Sequence, residues 1–105
     1  MRTLSVCYPR SAGATFDYDY YQTKHLPLVV ERWADAGLTG GEALLGEVSP
    51  DGSESPFLAI GIIHFESAGA LQAALAGEHA SEIMGDIRNF TNVLPMVQVN
   101  ERVIP

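Results

Sequence analysis

Residues 16–37 read FDYDYYQTKHLPLVVERWADAG and predict the main helix of the chain. Asp17 is a suitable N-cap, because its carboxylate can accept a hydrogen bond from an orphan backbone N–H of the first turn. Phe16 and Tyr21 occupy the two positions of a hydrophobic staple around that cap. Gly37 marks the predicted end of the helix, because glycine tolerates the left-handed conformation in which many helices end.

The spacing of apolar residues defines the buried face of this helix. That face comprises Tyr21, His25, Leu28, Val29 and Trp33. Pro27 interrupts the pattern, and because proline removes one backbone hydrogen bond we expect a kink near residues 24–26. A kink there frees a backbone carbonyl and reorients the side chain of His25.

The remaining residues predict short strands and smaller helices. Strands are predicted at residues 3–8, 42–48, 57–65 and 96–103. Gly40 and Gly41 are interpreted as a turn pair before the second strand, and Ser67 as the cap of a helix that ends at Gly77. The order β-α-β-β-α-β predicts an α+β, ferredoxin-like fold: a four-stranded antiparallel sheet with helices on one face, forming a single domain over residues 1–105.

The third predicted strand, FLAIGIIHF at residues 57–65, is apolar on both of its alternating faces. A strand of this kind is buried on both sides of its sheet. The predicted helices can cover only one side in a chain of 105 residues. We therefore expect a homodimer that forms through the apolar sheet face.

Charge and composition exclude several classes of function. Six Lys and Arg residues against thirteen Asp and Glu residues leave a net charge of −7, so neither nucleic acid nor an anionic membrane surface is an expected partner. No apolar run approaches the roughly 20 residues of a membrane span, and the first ten residues lack the features of a signal peptide. A cytoplasmic location is expected. The single cysteine, Cys7, cannot form an internal disulfide.

His25 is the strongest candidate for chemistry. Imidazole titrates near neutrality, and Tyr21 lies one helical turn away on the same face, where the two side chains can form a donor–acceptor pair for acid–base work. The structural alternative is that His25 caps the carbonyl freed by Pro27, or is simply a buried structural histidine.

The other ionisable residues carry weaker signals. His64 and His79 have no accompanying carboxylate motif, so no metal site is predicted. Asp86 is interpreted first as a helix cap, with pairing to Arg88 or lining of a pocket as alternatives. Phe90 is expected to anchor its loop in the core. No glycine loop or dinucleotide fingerprint is present, and no cofactor is predicted.

Two motifs resemble the EthD-like family, named after a protein associated with ethyl tert-butyl ether degradation. The first motif comprises Tyr20, Tyr21, Lys24, His25, Pro27 and Leu28. The second comprises Asp86, Asn89, Phe90 and Thr91. The resemblance extends from the first strand to the last. It implies a dimeric α+β barrel, in which two ferredoxin-like sheets pack face to face, and a pocket near His25 between helices and sheet.

Three functions follow from these observations. The first is a cofactor-free monooxygenase or cyclase acting on an apolar, aromatic or polyketide-like molecule, with His25 and Tyr21 as catalytic residues. The predicted ligand contacts are Tyr8, Leu28, Phe65, Asp86 and Phe90. The alternative is a non-enzymatic accessory or carrier protein for a hydrophobic catabolic intermediate. A third possibility, suggested by the wider superfamily, is haem binding through His25 or His64.

Overall fold

The computed structural model describes residues 2–105, and its strands form one antiparallel sheet. The strands are β1 (Arg2–Pro9), β2 (Leu38–Leu45), β3 (Phe57–Phe65) and β4 (Met96–Glu101). They lie in the order β2-β3-β1-β4, and each neighbouring pair is antiparallel. With its helices, this sheet has the ferredoxin-like β-α-β-β-α-β arrangement predicted from the sequence.

Three helices complete the fold. Helix α1 covers residues 18–33 and consists of an α-helical turn (Tyr18–Tyr20), a π-helical turn (Tyr21–His25) and a longer α-helical part (Leu26–Trp33). Helix α2 is Ala68–Ala76, and helix α3 is Ala80–Asp86, followed by a 3-10 turn at Ile87–Asn89. Within residues 2–105, no helix has the length and apolar character needed to cross a membrane.

The start of α1 confirms the predicted cap and staple. The side chain of Asp17 accepts a hydrogen bond from the backbone N–H of Tyr20 at 3.0 Å. The rings of Phe16 and Tyr21 meet edge to face, with centroids 5.1 Å apart. Ser67 caps α2 in the same way. Local sequence is therefore sufficient to start both helices.

The distortion expected from Pro27 is a π-helical turn. Pro27 lies in the first turn of the Leu26–Trp33 segment, and the N–H of Leu26 reaches back five residues to the carbonyl of Tyr21. The hydrogen bonds of a π-helix span five residues instead of the four of an α-helix, and π-helical turns occur frequently at functional sites. Here it ends at His25, which it turns towards the interior.

The predicted end of this helix at Gly37 is wrong, since α1 stops at Trp33. A turn follows, in which the N–H of Ala36 donates to the carbonyl of Trp33 at 3.0 Å. Gly37 does adopt a positive φ of 90°, but it uses that conformation to lead the chain into β2. Because Trp33 packs edge to face on Phe65 of β3, the chain turns back towards the sheet at this point.

The predicted bounds of the second strand are also wrong. Gly40 and Gly41 lie inside β2, which begins at Leu38 and is paired with β3 along its length. The register shifts between Leu38 and Gly40. Pairing with a long, apolar neighbouring strand outweighs the weak local preference of two glycines for a turn. The consequence is a stretch of sheet without side chains beside β3.

Within residues 2–105, helices cover one face of the sheet and leave the other uncovered. Leu4, Val6 and Tyr8 of β1 point to this face and are buried. The opposite face carries a row of neighbours across all four strands, which we call the apolar row. It consists of Leu44, Ile60, Cys7 and Met96. The two outer members, Leu44 and Met96, are more than half exposed.

Candidate functional site

A histidine–aspartate pair lies where α1 meets the end of α3. The Nδ1 atom of His25 is 3.0 Å from Oδ2 of Asp86, and His25 is only 4% exposed. The partner of His25 is thus a carboxylate and not the backbone carbonyl freed by Pro27. A carboxylate on one imidazole nitrogen selects the tautomer and the orientation of the ring.

The carboxylate of Asp86 is itself held by two side chains. Its Oδ1 atom accepts a hydrogen bond from the hydroxyl of Tyr20 at 2.7 Å and another from Nδ2 of Asn89 at 2.9 Å. The interpretation of Asp86 as a helix cap is wrong, because its side chain caps no backbone N–H. Tyr20 and His25 belong to α1, which only the tertiary fold brings next to Asp86, whereas Asn89 is a local partner three residues further along the chain.

The charge states of this pair follow from burial and hydrogen bonding. Burial lowers the pKa of His25, and the hydrogen bond and negative charge of Asp86 only partly oppose this effect. Burial alone raises the pKa of Asp86, but hydrogen bonds from Tyr20, Asn89 and His25 outweigh it, so that the pKa lies below its usual range. At neutral pH His25 is therefore neutral. Since Asp86 is ionised and can only accept, Nδ1 carries the proton and Nε2 is unprotonated.

A cavity of about 380 Å³ lies between the helices and the sheet, with His25 in its wall. This volume is at the small end of the range of roughly 300–1,000 Å³ usual for ligand sites. Most of the wall is aliphatic, and the ionisable side chains that face it are Tyr8, Tyr21 and His25, since the carboxylate of Glu42 lies on the opposite face of the sheet beside His64. Nδ1 is occupied by Asp86, so Nε2 is the nitrogen that His25 offers to a ligand.

Two tyrosines supply the polar groups beside His25. Tyr8 and Tyr21 are each 1% exposed, and their rings meet edge to face with centroids 5.9 Å apart. Burial raises the pKa of Tyr21 to about 12. Burial also raises the pKa of Tyr8, and the neighbouring Tyr21 adds to the effect. Both hydroxyls therefore remain protonated at neutral pH and can donate hydrogen bonds.

The structure brings together only some of the predicted site residues. His25, Tyr21 and Tyr8 line the cavity, whereas Leu28, Phe65, Asp86 and Phe90 are not part of its wall. Phe90 packs behind the wall, with its ring centroid 4.6 Å from that of His25. Phe65 packs on Trp33, and Leu28 is half-buried at the edge of the core. Asp86 contacts His25 but does not itself line the cavity.

Sequence reasoning assigned no role to Tyr20 or Asn89, which fix the carboxylate of Asp86. Both residues belong to the motifs that resemble the EthD-like family, and this is the one signal that pointed to them. The sequence also contained no indication that the small residues Gly41, Ala43 and Gly61 of β2 and β3 line the cavity, and Gly41 was interpreted as part of a turn.

His64 lies on the uncovered face of the sheet, away from the cavity. Its Nε2 is 3.6 Å from Oε1 of Glu42, and its Nδ1 is buried without a hydrogen-bond partner among residues 2–105. In the same residues, no three His, Cys, Asp or Glu side chains are grouped closely enough to hold a metal ion. His64 and His25 are thus on opposite sides of the sheet.

A ferredoxin-like sheet with a pocket under its helices defines the class of protomers that build dimeric α+β barrels. No family model matches the sequence, and no curated protein does so. An EthD-like protein from Ralstonia eutropha JMP134 has a similar structure, with a TM-score of 0.88 and 33% identity over 98% of this chain and 92% of that chain. The chain belongs to the EthD-like family.

More distant structures share the fold. An ethyl tert-butyl ether degradation family protein from Bacillus halodurans C-125 is 21% identical, with a TM-score of 0.78 over 98% of this chain and 99% of that chain. A structure described as an antibiotic biosynthesis monooxygenase is 15% identical, with a TM-score of 0.54 over 99% of this chain and 100% of that chain. At these identities the likeness establishes the fold alone.

Proposed function

We propose that this EthD-like protein binds a small apolar molecule that carries an acidic O–H or C–H group, and that His25 removes the proton. One observation carries the proposal: a neutral histidine, held through Nδ1 by an ionised aspartate, forms part of the wall of an apolar cavity. A histidine in this state is a general base. Asp86 does not touch the ligand; it orients His25 and stabilises the imidazolium that forms.

The proton transfer proceeds as follows. The electron pair on Nε2 of His25 takes the proton, and the bound molecule becomes a phenolate or an enolate. The hydroxyls of Tyr21 and Tyr8 stabilise its negative oxygen by donating hydrogen bonds. The apolar wall strengthens these interactions because it excludes water.

Two reactions of such an anion need no bound organic cofactor. An enolate carbon can attack a carbonyl carbon of the same molecule. The new carbon–carbon bond leaves an alkoxide, which recovers the proton from His25, so that the cyclisation is redox-neutral. Alternatively the carbon of the anion forms a C–O bond with dioxygen, and the resulting peroxide takes up the proton held by His25 to become a hydroperoxide. Loss of water from this hydroperoxide breaks the O–O bond and the C–H bond of the same carbon and leaves a carbonyl group, so that dioxygen is the oxidant, one of its oxygen atoms enters the product and the other leaves as water. Both belong to the classes proposed from the sequence.

We further propose that the working form is a cytoplasmic homodimer. The apolar row exposes Leu44 next to the half-buried Ile60 and Met96 next to Cys7, on the face that no helix within residues 2–105 covers. A second copy that brings the same row into contact removes this area from water on both sides. Burying one such aliphatic side chain is worth roughly 1.5–3 kcal/mol.

A carrier function is the alternative, and the two buried tyrosine hydroxyls favour it. Donors with raised pKa values hold a ligand oxygen without any proton transfer. In that case the role of His25 is to accept a hydrogen bond at Nε2. The carrier and the enzyme therefore use the same cavity and differ only in whether a proton leaves the ligand.

Deuterium exchange separates these two functions. 2-Tetralone is a compact bicyclic ketone with acidic C–H bonds next to its carbonyl, and NMR in D₂O follows their exchange directly. We expect the protein to accelerate this exchange, and His25→Gln to abolish the acceleration while 2-tetralone still binds. Binding of 2-tetralone without acceleration by the wild-type protein contradicts the general-base role and supports the carrier. His79→Gln is the matched control, because the side chain of His79 is 43% exposed and lies outside the cavity wall.

A further inference from the structure

Three neighbouring residues of the sheet that line the cavity carry no side chain larger than a methyl group. Ala43 of β2 and Gly61 of β3 are direct cross-strand neighbours, and Gly41 lies two residues along β2 on the same face. All three residues line the cavity. We call them the small-residue floor. A glycine within a strand often marks a place where a ligand approaches the backbone closely.

The residues around the floor are large, so the flat area is bounded. Gly61 pairs with Val6 on its other side, and Gly41 pairs with Ile63. The opposite wall is formed by α1 and α3, which contribute Val29 and Ile83. The space between a flat floor and an aliphatic ceiling suits a planar ring system better than a branched or bulky molecule.

The polar groups lie at one place on this floor. The hydroxyl oxygen of Tyr21 is 3.0 Å from the position that a Cβ atom on Gly61 would occupy. The rings of Tyr21 and His25 are nearly parallel, with centroids 5.9 Å apart and an interplanar angle of 16°. The hydroxyl of Tyr21 therefore stands over Gly61, and a planar ligand that lies over the neighbouring Ala43 presents one edge to this hydroxyl and to His25 beside it.

We infer that the small-residue floor makes the site specific for planar, fused-ring aromatic alcohols or their enol equivalents, and that Ala43 is the residue that sets the permitted ring size. This inference rests on the proposed function and names its substrate class. The hydroxyl of the ligand lies between Tyr21 and His25, and the second ring lies over Ala43. A single-ring phenol does not need the space over Ala43.

The test compares two probes that differ by one ring, 2-naphthol and phenol, in binding to wild type and to Ala43→Leu. We expect Ala43→Leu to weaken 2-naphthol binding at least tenfold and phenol binding less than twofold, because the added isopropyl group fills the place of the second ring. Ala43→Val gives a smaller loss of the same kind and replaces Ala43→Leu if the larger residue prevents folding. Ala73→Leu, on the exposed side of α2, is the matched control and leaves both affinities unchanged.

The outcomes separate the inference from the proposed function. If the wild-type protein binds both probes and Ala43→Leu weakens both equally or neither, the floor does not set specificity and the inference is overturned, whereas the proposed function stands. If the wild-type protein binds neither probe, the proposed function fails and the inference fails with it. Gly61→Ala is unsuitable for this test, since its Cβ would press on the hydroxyl of Tyr21.

Discussion

Nδ1 of His25 and Oδ2 of Asp86 are 3.0 Å apart, although 61 residues separate the two in sequence. The contact joins the π-helical turn of α1 to the last residue of α3. It holds a proton on Nδ1 and leaves Nε2 of His25 free to accept one from the cavity. We make three predictions about this contact and the cavity beside it, and one about the uncovered face of the sheet.

Asp86→Asn is expected to lower the pKa of His25 further. Burial already holds this pKa below 6.5, and the carboxylate is the group that opposes the effect, so its loss removes the opposing contribution. The C–H resonances of the imidazole, followed by NMR through a pH titration, measure the change. Glu82→Gln is the matched control, because Glu82 is an exposed carboxylate on the same helix that pairs with Arg32. A rise of the His25 pKa towards 6.5 in Asp86→Asn contradicts the assigned geometry.

The protein is expected to lose stability in two steps as the pH falls. Both folded-state pKa values lie below their unfolded values, so the unfolded chain binds each proton first. The His25 contribution is complete above pH 6.5 and is lost as the pH falls from there through its folded value. The Asp86 contribution is complete above its ordinary value of 3.8 and is lost below it. Each step has a slope of at most about 1.4 kcal/mol per pH unit, the value for one proton.

Denaturant unfolding at a series of pH values measures these steps. His25→Gln should remove the first step, because glutamine does not titrate in this range, and His79→Gln should retain it. If the first loss of stability has the same size in His25→Gln as in the wild type, a group other than His25 causes it.

Tyr21→Phe is expected to weaken the binding of 2-naphthol by roughly two- to tenfold, the equivalent of one lost hydrogen bond, with little change in stability. Burial raises the pKa of Tyr21 with no contribution from a hydrogen bond, so we expect the removal of its hydroxyl to leave no protein group unpaired. A ligand oxygen loses one donor, worth about 0.5–1.5 kcal/mol. Fluorescence titration of 2-naphthol and thermal unfolding measure the two effects.

Tyr18→Phe serves as the control, because it removes a hydroxyl that is hydrogen-bonded within the protein and lies outside the cavity. The hydroxyl of Tyr18 donates to the backbone carbonyl of Leu58 at 3.1 Å, and Tyr18 lies outside the cavity wall. We expect this variant to lose about 1 kcal/mol of stability and to bind 2-naphthol as the wild type does. Equal loss of binding in both variants would show that the effect of Tyr21→Phe is not local.

Ile60→Asp is expected to convert a dimer into a monomer. Ile60 occupies the centre of the apolar row, between Leu44 and Cys7, and is not part of the cavity wall. A carboxylate in that position would have to be desolvated twice in a symmetric interface. Native mass spectrometry should give twice 11.3 kDa for the wild type and 11.3 kDa for the variant. Val48→Asp, an equally apolar but exposed site outside the sheet, should remain dimeric, and a monomeric wild type contradicts the proposed dimer.

Local rules in the sequence accounted for most of the fold. The cap Asp17 and the staple of Phe16 and Tyr21 start α1, and Ser67 starts α2, because each depends on residues within one turn of the chain. The apolar run of β3 was predicted with its observed bounds, since its period does not depend on its neighbours. Where a boundary depended on the rest of the fold, as at Gly37 and Gly40, the prediction was wrong.

The site itself could be predicted only in part. Sequence alone indicated that His25 and Tyr21 share a helical face and that Pro27 disturbs the helix beside them. The bond between His25 and Asp86 and the support that Asp86 receives from Tyr20 were decided by the tertiary structure. Such contacts join residues more than 60 positions apart, and no local preference encodes them.

The shape of the cavity was likewise decided by the tertiary structure. Gly41, Ala43 and Gly61 are unremarkable in the sequence, and they form a floor only because the register of β2 on β3 places them side by side beneath α1. The sequence by itself thus determined which segments are helices and strands, through hydrogen bonds and contacts within single turns. Packing and strand register decided which side chains meet, and with them the charge state of His25 and the shape of the space it faces.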